Sequence, residues 1–326
     1  MNNRTRSRRL RDNEKIRNLV RETSVNTSSL IYPIFIQEGK NIKEEIPSME
    51  GQYRYSLDQL PFRLEELSIK GVQNIMLFGI PDHKDEIGSG AFHEEGIIQK
   101  TLLQSKETHP ELFYIADLCM CEYTSHGHCG ILKNGKVDND TTLEYLEKIA
   151  VSQAEAGADM IAPSDMMDFR IGRIRDELDK RGFQNLPIMA YSAKYASSFY
   201  DHFRAAADSA PACGNRKSYQ MDFHNRKEAI KEILQDISEG ADIIMVKPAL
   251  SYLDIIREAA NEIHVPLAAY SVSGEYAMIK GASGTGYIDE DRIVAETTIS
   301  IFRAGADILL TYYAEKIIDL IHKGWI

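Results

Sequence analysis

A parallel α/β fold of eight strand–helix units, closed as a TIM-type (β/α)8 barrel and preceded by an extended N-terminal arm, is the architecture this sequence predicts. Three observations carry the expectation. Eight short runs are apolar on both faces: Leu30–Phe35, Asn74–Phe78, Phe113–Leu118, Met160–Ala162, Pro187–Tyr191, Ile243–Val246, Pro266–Tyr270 and Ile308–Thr311. Such runs mark parallel strands covered on both sides. Between most of them, Leu57–Lys70, Thr141–Ala156, Arg226–Glu239, Tyr252–Ile263 and Asp291–Ala304 carry apolar residues at three- and four-residue spacing, the helical period. A local echo, Gly157-Ala158-Asp159, Gly240-Ala241-Asp242 and Gly305-Ala306-Asp307, closes a helix and opens a strand three times. An open doubly wound sheet shares this alternation and is the alternative. No G-x-G-x-x-G follows an early strand and no P-loop is present, which leaves nucleotide binding without support.

Each part of the chain then has a place. Residues 30–326 make the barrel, and residues 1–29 make the arm. A chain of 326 residues, 43% hydrophobic, suits one large domain. No apolar run is long enough to cross a bilayer. The first 29 residues lack the apolar core of a signal peptide, so the expectation is a cytoplasmic protein. Residues 1–21 hold eight Arg/Lys and two Asp/Glu, a net of +6 in a chain of −11, which leaves −17 on the body. A basic segment mixed with Leu10, Ile16, Leu19 and Val20 suits packing on the acidic body of another subunit better than contact with nucleic acid or membrane. A loose tail is the bland alternative. Of four cysteines, three fall within eleven residues, too dense for a disulfide framework in a chain this long, and Cys213 stands alone as an inert thiol.

The chemistry gathers where the strands end, the face on which barrel enzymes keep their sites. Cys119, Cys121 and Cys129 follow the third strand, Ser164 and Asp165 the fourth, Lys194 the fifth, Lys247 the sixth and Ser273 the seventh, and Tyr312 closes the eighth. A lysine at such a place is poorly hydrated, and a second lysine nearby repels its charge. Both effects lower the amine pKa and make it a nucleophile toward a ketone. Either lysine taken alone is equally a side chain reaching to water. In Asp117-Leu118-Cys119-Met120-Cys121-Glu122-Tyr123-Thr124-Ser125-His126-Gly127-His128-Cys129-Gly130, residues two apart in an extended chain face one side, and the glycines let Cys129 turn back. Three thiolates suit zinc with an open fourth position, although His126 or His128 would fill it in a structural site, and reduced or redox-active thiols are the other reading. Arg204, Arg216 and Lys217 lie in a Gly- and Ala-spotted stretch, Phe203 to Gln220, that reads as a mobile loop over the barrel mouth, and arginine binds carboxylates bidentately.

These segments, with Arg8-Arg9-Leu10-Arg11, Ala162-Pro163-Ser164-Asp165-Met166-Met167-Asp168, Tyr191-Ser192-Ala193-Lys194-Tyr195-Ala196-Ser197-Ser198-Phe199-Tyr200, Met245-Val246-Lys247-Pro248, Val272-Ser273-Gly274-Glu275 and Thr311-Tyr312-Tyr313, resemble the porphobilinogen synthase (5-aminolevulinate dehydratase) family over nearly the whole chain. The resemblance implies a hydro-lyase of tetrapyrrole synthesis that condenses two molecules of 5-aminolevulinate. It implies that Lys247 holds the first substrate as a Schiff base, with Ser273 and Tyr312 on its carboxylate. Lys194 then serves the second substrate, whose carboxylate meets Arg204, Arg216 and Gln220. Asp117, Ser164 and Asp165 line the pocket, and zinc on Cys119, Cys121 and Cys129 binds or polarises the second substrate. The same resemblance implies a homo-octamer and an allosteric magnesium near Glu232. Three places depart from the family pattern: Asp201-His202 for Gly-Pro, Phe169 for Gly, and Phe223-His224 for Pro-Ala. A Schiff-base aldolase needs only one such lysine and has no use for three cysteines. A zinc-stabilised binding scaffold leaves the lysines without a purpose.

Overall fold

The computed structural model describes residues 5–212 and 214–326, so Cys213 and the first four residues of the arm lie outside the described residues. The barrel strands are β1 (Leu30–Gln37), β2 (Asn74–Ile80), β3 (Phe113–Leu118), β4 (Met160–Pro163), β5 (Met189–Lys194), β6 (Ile243–Lys247), β7 (Leu267–Ser271) and β8 (Ile308–Thr311). They run parallel in the order β4-β3-β2-β1-β8-β7-β6-β5. The two ends of that path meet through a bridge between Ile161 and Ile188, where the Ile161 N–H donates to the Pro187 carbonyl at 3.1 Å. The sheet therefore closes on itself, and the open-sheet alternative falls. All eight expected strands form. β5 and β6 run further than their apolar stretches, so Lys194 and Lys247 are the last residues of strands and not the first of loops.

Eight helices clad the barrel: α1 (Leu60–Lys70), α2 (Ile97–Thr108), α3 (Asn139–Glu155), α4 (Arg170–Lys180), α5 (Lys227–Ser238), α6 (Leu253–Glu262), α7 (Glu290–Ala304) and α8 (Ala314–His322). Each turns an apolar stripe inward, such as Leu60, Leu64 and Leu67 on α1 or Ile171, Ile174 and Leu178 on α4. The expectation missed α2, α4 and α8. In α2 the reason is visible, because Gln99, Thr101 and Ser105 share the buried face and break the hydrophobic period. Two further helices, Asp201–Ala206 and Ser273–Gly284, lie at the C-terminal face. The first occupies the front of the stretch expected to be a loop.

The Gly-Ala-Asp echo has a physical purpose. Gly157, Gly240 and Gly305 stop their helices at φ of 93°, 107° and 122°, a conformation that disfavours any residue with a Cβ. The aspartate two residues on then makes a reciprocal pair with the preceding strand. Its carboxylate accepts from the N–H of Tyr114, Ile188 or Leu267 at 2.8, 2.8 and 2.9 Å. Its own N–H donates to the carbonyl of the same residue at 2.9, 3.0 and 2.7 Å. The β3–β4, β5–β6 and β7–β8 seams are thus pinned at the end of the barrel opposite the lysines.

Outside this frame, Phe169 is 62% exposed and sits at φ 65°, where a bulky residue is strained by about 1–2 kcal/mol. Phe223 is exposed and stacks on His224 at 4.2 Å. In the arm, the turn Ser7–Arg11 and the helix Glu14–Leu19 bury no residue, and Leu19 is 79% exposed.

The aspartate pins yield a stability prediction. Asp242→Ala should lower unfolding free energy by about 1.5–3 kcal/mol, the usual worth of a hydrogen bond to a charged group. Turnover per folded molecule should stay unchanged, because the pin lies at the far end from the lysines. Urea denaturation followed by circular dichroism, with an activity assay at low temperature, checks both halves.

Candidate active site

The two lysines face one another across adjacent strands. In the β5–β6 ladder, Met189 pairs with Ile243 and Ala190 with Ile244, then Ala193 with Val246 and Lys194 with Lys247. Three steps along β5 match two along β6, so β5 carries one extra residue, a bulge. In a regular strand, residues three apart point to opposite faces. Here both lysine ammonium groups lie over the ring of Tyr191, at 5.5 Å for Lys194 and 5.2 Å for Lys247. The extra residue turns Lys194 to the same interior face as Tyr191 and sets it opposite Lys247.

Lys247 ends in an aromatic cage. Its Nζ lies 4.3 Å from the ring centre of Tyr270, 5.0 Å from Phe203 and 5.1 Å from Tyr200. Ring faces attract a cation, but they also exclude water. Burial, with the Lys194 charge added, pulls the Lys247 amine down to about 7. That amine is therefore available as a nucleophile near neutral pH. Lys194 donates to the Ser164 carbonyl, and Ser164 Oγ donates to Asp117 Oδ2 at 3.2 Å. Burial and the Glu122 charge hold the Asp117 carboxyl up at about 8, against the pull of Lys194 and Lys247. Burial holds Asp165 at about 6, against Arg170. Asp117 and the two amines are thus buried together and act on one another, while Asp165 is buried beside Arg170.

Cys119, Cys121 and Cys129 are buried, with all three sulfurs within 4.8 Å of one another. Extended alternation, the expected cause, does not bring them together. The chain leaves β3 and turns at once, Tyr123 and Thr124 donating back to the Met120 carbonyl at 3.0 and 2.9 Å. Gly127 at φ 68° then reverses the chain toward Cys129. Hydrogen bonds from Cys119 and Cys121 hold the Cys129 thiol well below the ordinary thiol range. A cluster of soft, partly ionised donors fits a soft divalent metal. Among the described residues it is the one convergent group of three or more ligating side chains. His126 is turned away, its Nε2 at 3.3 Å from the Glu86 carbonyl, and His128 Nδ1 lies 3.0 Å from the Tyr219 hydroxyl.

The segment over the mouth begins as a helix and then runs to Gln220 without a further helix or strand among the described residues. Phe203 of the helix Asp201–Ala206 packs tilted on Phe35 and edge-on to Phe78, with ring centres 5.7 and 5.1 Å apart. Its N–H donates to Ser273 Oγ at 2.9 Å. Gly274 makes this close approach possible, since a Cβ there would lie 2.8 Å from the Phe199 backbone. Arg216 is buried, donating to the carbonyls of Gly127 at 2.9 Å and Ser209 at 2.5 Å. Arg204 pairs with Asp201 at 3.1 Å, one of the departures from the family pattern. Lys217 stays exposed. Gln220 is buried with neither amide atom hydrogen-bonded among the described residues; Arg204 Nε, Arg216 Nε, Asp117 Oδ1 and Asp165 Oδ2 also lack a hydrogen bond, the last lying 3.6 Å from Arg170 Nε. Tyr312 donates to or accepts from Tyr270 at 2.9 Å, one ring away from Lys247. Glu232 stands apart. It is half-buried in a cavity of about 550 Å³ that also touches Asp168, Gln220, Asp222 and Glu228, and it belongs to no converging ligand group among the described residues.

The sequence alone assigns no role to the cage rings Tyr191, Tyr200 and Tyr270, although Tyr191 and Tyr200 bound one of the segments that resemble the family. It also assigns none to Arg170 and Asp236, a fully buried bidentate pair at 3.1 Å for both bonds. An arginine immediately after the Asp165 segment was the available signal.

A family model described as delta-aminolevulinic acid dehydratase matches residues 4–320. The delta-aminolevulinic acid dehydratase of Halalkalibacterium halodurans is 54% identical over 312 residues, covering 96% of this chain and 95% of that one. That of Methanothermus sociabilis is 55% identical over 315 residues, covering 97% and 98%. The crystal structure of the Toxoplasma gondii enzyme, solved in complex with its reaction product porphobilinogen, superposes with a TM-score of 0.95 at 43% identity, over 97% of this chain and 91% of that one. The chain belongs to the delta-aminolevulinic acid dehydratase family, hydro-lyases also called porphobilinogen synthases.

Proposed function

We propose that the barrel mouth condenses two molecules of 5-aminolevulinate into porphobilinogen with loss of two waters, through a Schiff base on Lys247. The observation that carries this reading is the Lys247 amine, caged by rings, in register with Lys194 and brought to about 7. The neutral amine attacks the ketone of the first substrate, and the oxygen leaves as water. The resulting iminium acidifies the neighbouring carbon, so a buried carboxylate can take its proton. Ser273 and Tyr312 take the first carboxylate. The second substrate lies on the Lys194 side, its carboxylate on Arg204, Arg216 and Gln220, whose unpartnered atoms support that role. Asp117, Ser164 and Asp165 line the space between. One carbon–carbon and one carbon–nitrogen bond join the pair, the second ketone oxygen leaves as the second water, and the bond from the first substrate to the Lys247 nitrogen breaks to free the amine. Holding both reactants in place supplies the entropic share of the rate.

Cys119, Cys121 and Cys129 would hold zinc, which supplies Lewis-acid polarisation of the second substrate. The arm, with its uncovered apolar side chains and opposite charge to the body, packs on a neighbour in a homo-octamer. A regulatory magnesium belongs near Glu232, a half-buried carboxylate whose remaining partners at the ion would come from water or another copy. A cytoplasmic setting completes the reading. No helix among the described residues is long and apolar enough to cross a membrane.

Lys247→Ala should lower turnover by about 10³-fold or more while the protein stays folded, and Lys247→Arg should not restore it, since guanidinium stays protonated. Borohydride with 5-aminolevulinate should attach one substrate at Lys247, as read by peptide mass spectrometry. Labelling of Lys194 alone would reverse the assigned roles.

Chelation should abolish turnover while the melting temperature moves only by a few degrees, because a catalytic ion need not hold the barrel together. Cys129→Ser should bind well under one equivalent of zinc. Full occupancy with full activity in that variant would contradict the metal assignment.

A further inference from the structure

The bulge in β5 raises a question of support. An extra residue leaves backbone groups without ladder partners, and buried groups of that kind must find others. The Tyr191 carbonyl finds Arg170, whose Nη2 donates to it at 3.2 Å. Arg170 is itself held by both Asp236 oxygens at 3.1 Å, and its Nη1 donates to the Met167 carbonyl at 3.3 Å. The next bulge residue, Ser192, lies with its hydroxyl against the Asp236 carboxylate and 3.3 Å from the Ala190 carbonyl. On its other side the Arg170 Nε stands 3.6 Å from Asp165 Oδ2. Arg170, Asp236, Asp165 and Ser192 are each at least 96% buried. Two ionised groups in such a place are costly, and the cost is not recovered by pairing alone. Their common geometric effect is to fix one carbonyl and one hydroxyl of the bulge that faces Lys194 inward.

We propose that Arg170 and Asp236 are positioning residues: the pair clamps the β5 bulge at Tyr191 and Ser192 and thereby keeps Lys194 in register with Lys247. The same guanidinium steadies Asp165 through its other edge. The inference rests on the proposed chemistry of the two lysines and adds the device that aims one of them. Neither residue meets substrate in this arrangement.

Arg170→Lys tests the proposal, because an ammonium cannot bridge two Asp236 oxygens and also reach the Tyr191 carbonyl. Wild-type protein, trapped by borohydride with 5-aminolevulinate, is the control. If it forms no adduct at Lys247, the proposed chemistry fails, whatever the variant does. With that control in hand, Arg170→Lys should trap substrate on Lys247 in wild-type amount but form the pyrrole about 10–100-fold more slowly, as expected for a reacting group misplaced by about 1 Å. The pH midpoint of trapping should also rise. Lys194 is the cation that opposes protonation of Lys247, while Asp117, Cys121 and Glu122 favour it, so displacing Lys194 leaves the amine easier to protonate. A purely structural role would not move that midpoint. Wild-type turnover, or an unchanged midpoint in a folded variant, overturns the proposal. Should Arg170→Lys not fold, Ser192→Ala takes its place, since it leaves the ion pair intact. A several-fold loss of turnover with trapping retained supports the clamp, and wild-type turnover refutes it.

Discussion

Everything in this active site depends on two like charges being forced together in a place that water cannot reach. A parallel ladder sets neighbouring strands about 5 Å apart. The pairing of Lys194 with Lys247 therefore puts two amines within one site whether or not the local electrostatics favour it. Like-charge repulsion and burial act in the same direction on an amine, and their joint result is a lysine that spends much of its time neutral near pH 7. The barrel supplies the rigidity that makes this unfavourable arrangement persist, and the aspartate pins at the opposite end contribute to that rigidity.

The remaining parts answer needs that the pair creates. A nucleophilic amine in open water would be protonated, and the rings of Tyr191, Tyr200, Phe203 and Tyr270 remove the water. Phe203 belongs to the segment that covers the mouth, so enclosing the chamber and completing the cage are one event. The segment is tied to the barrel by Ser273, by Arg54, which donates to the Ala206 carbonyl at 2.8 Å, and by Lys84 with Asp208 at 2.7 Å. The thiol cluster stands against the other side of the chamber, near enough to Arg216 and Lys194 for both to favour ionisation of Cys129.

The barrel was legible because parallel strands buried on both faces leave uninterrupted apolar runs, and all eight appear where those runs lie. The lysines and thiols were legible because chemistry at strand ends uses polar residues where the pattern calls for apolar ones. What escaped was whatever depends on register or on tertiary pairing. A one-residue bulge leaves no trace in composition, so the inward facing of Lys194 shows in the ladder and not in the residues next to it in sequence. The cage rings look like ordinary core. Arg170 and Asp236 are 66 positions apart in sequence, and nothing local joins them. The stretch from Phe203 to Gln220 reads as loose because alanines and Gly214 are scattered through it, yet small side chains are also what let a lid lie close to a barrel, as Gly274 does for Phe199.

The most direct test of the account is to remove the second charge and watch the first. The rate of borohydride trapping at Lys247, measured across pH 5–9 in the native protein and in Lys194→Met, reports the neutral fraction of the Lys247 amine. The account predicts a midpoint near 7 in the native protein, with the rate rising as pH increases because only the unprotonated amine attacks. In Lys194→Met the midpoint should move upward by roughly one unit, the scale of a nearby like charge. An identical midpoint in the two proteins would contradict the claim that the paired register is what activates Lys247.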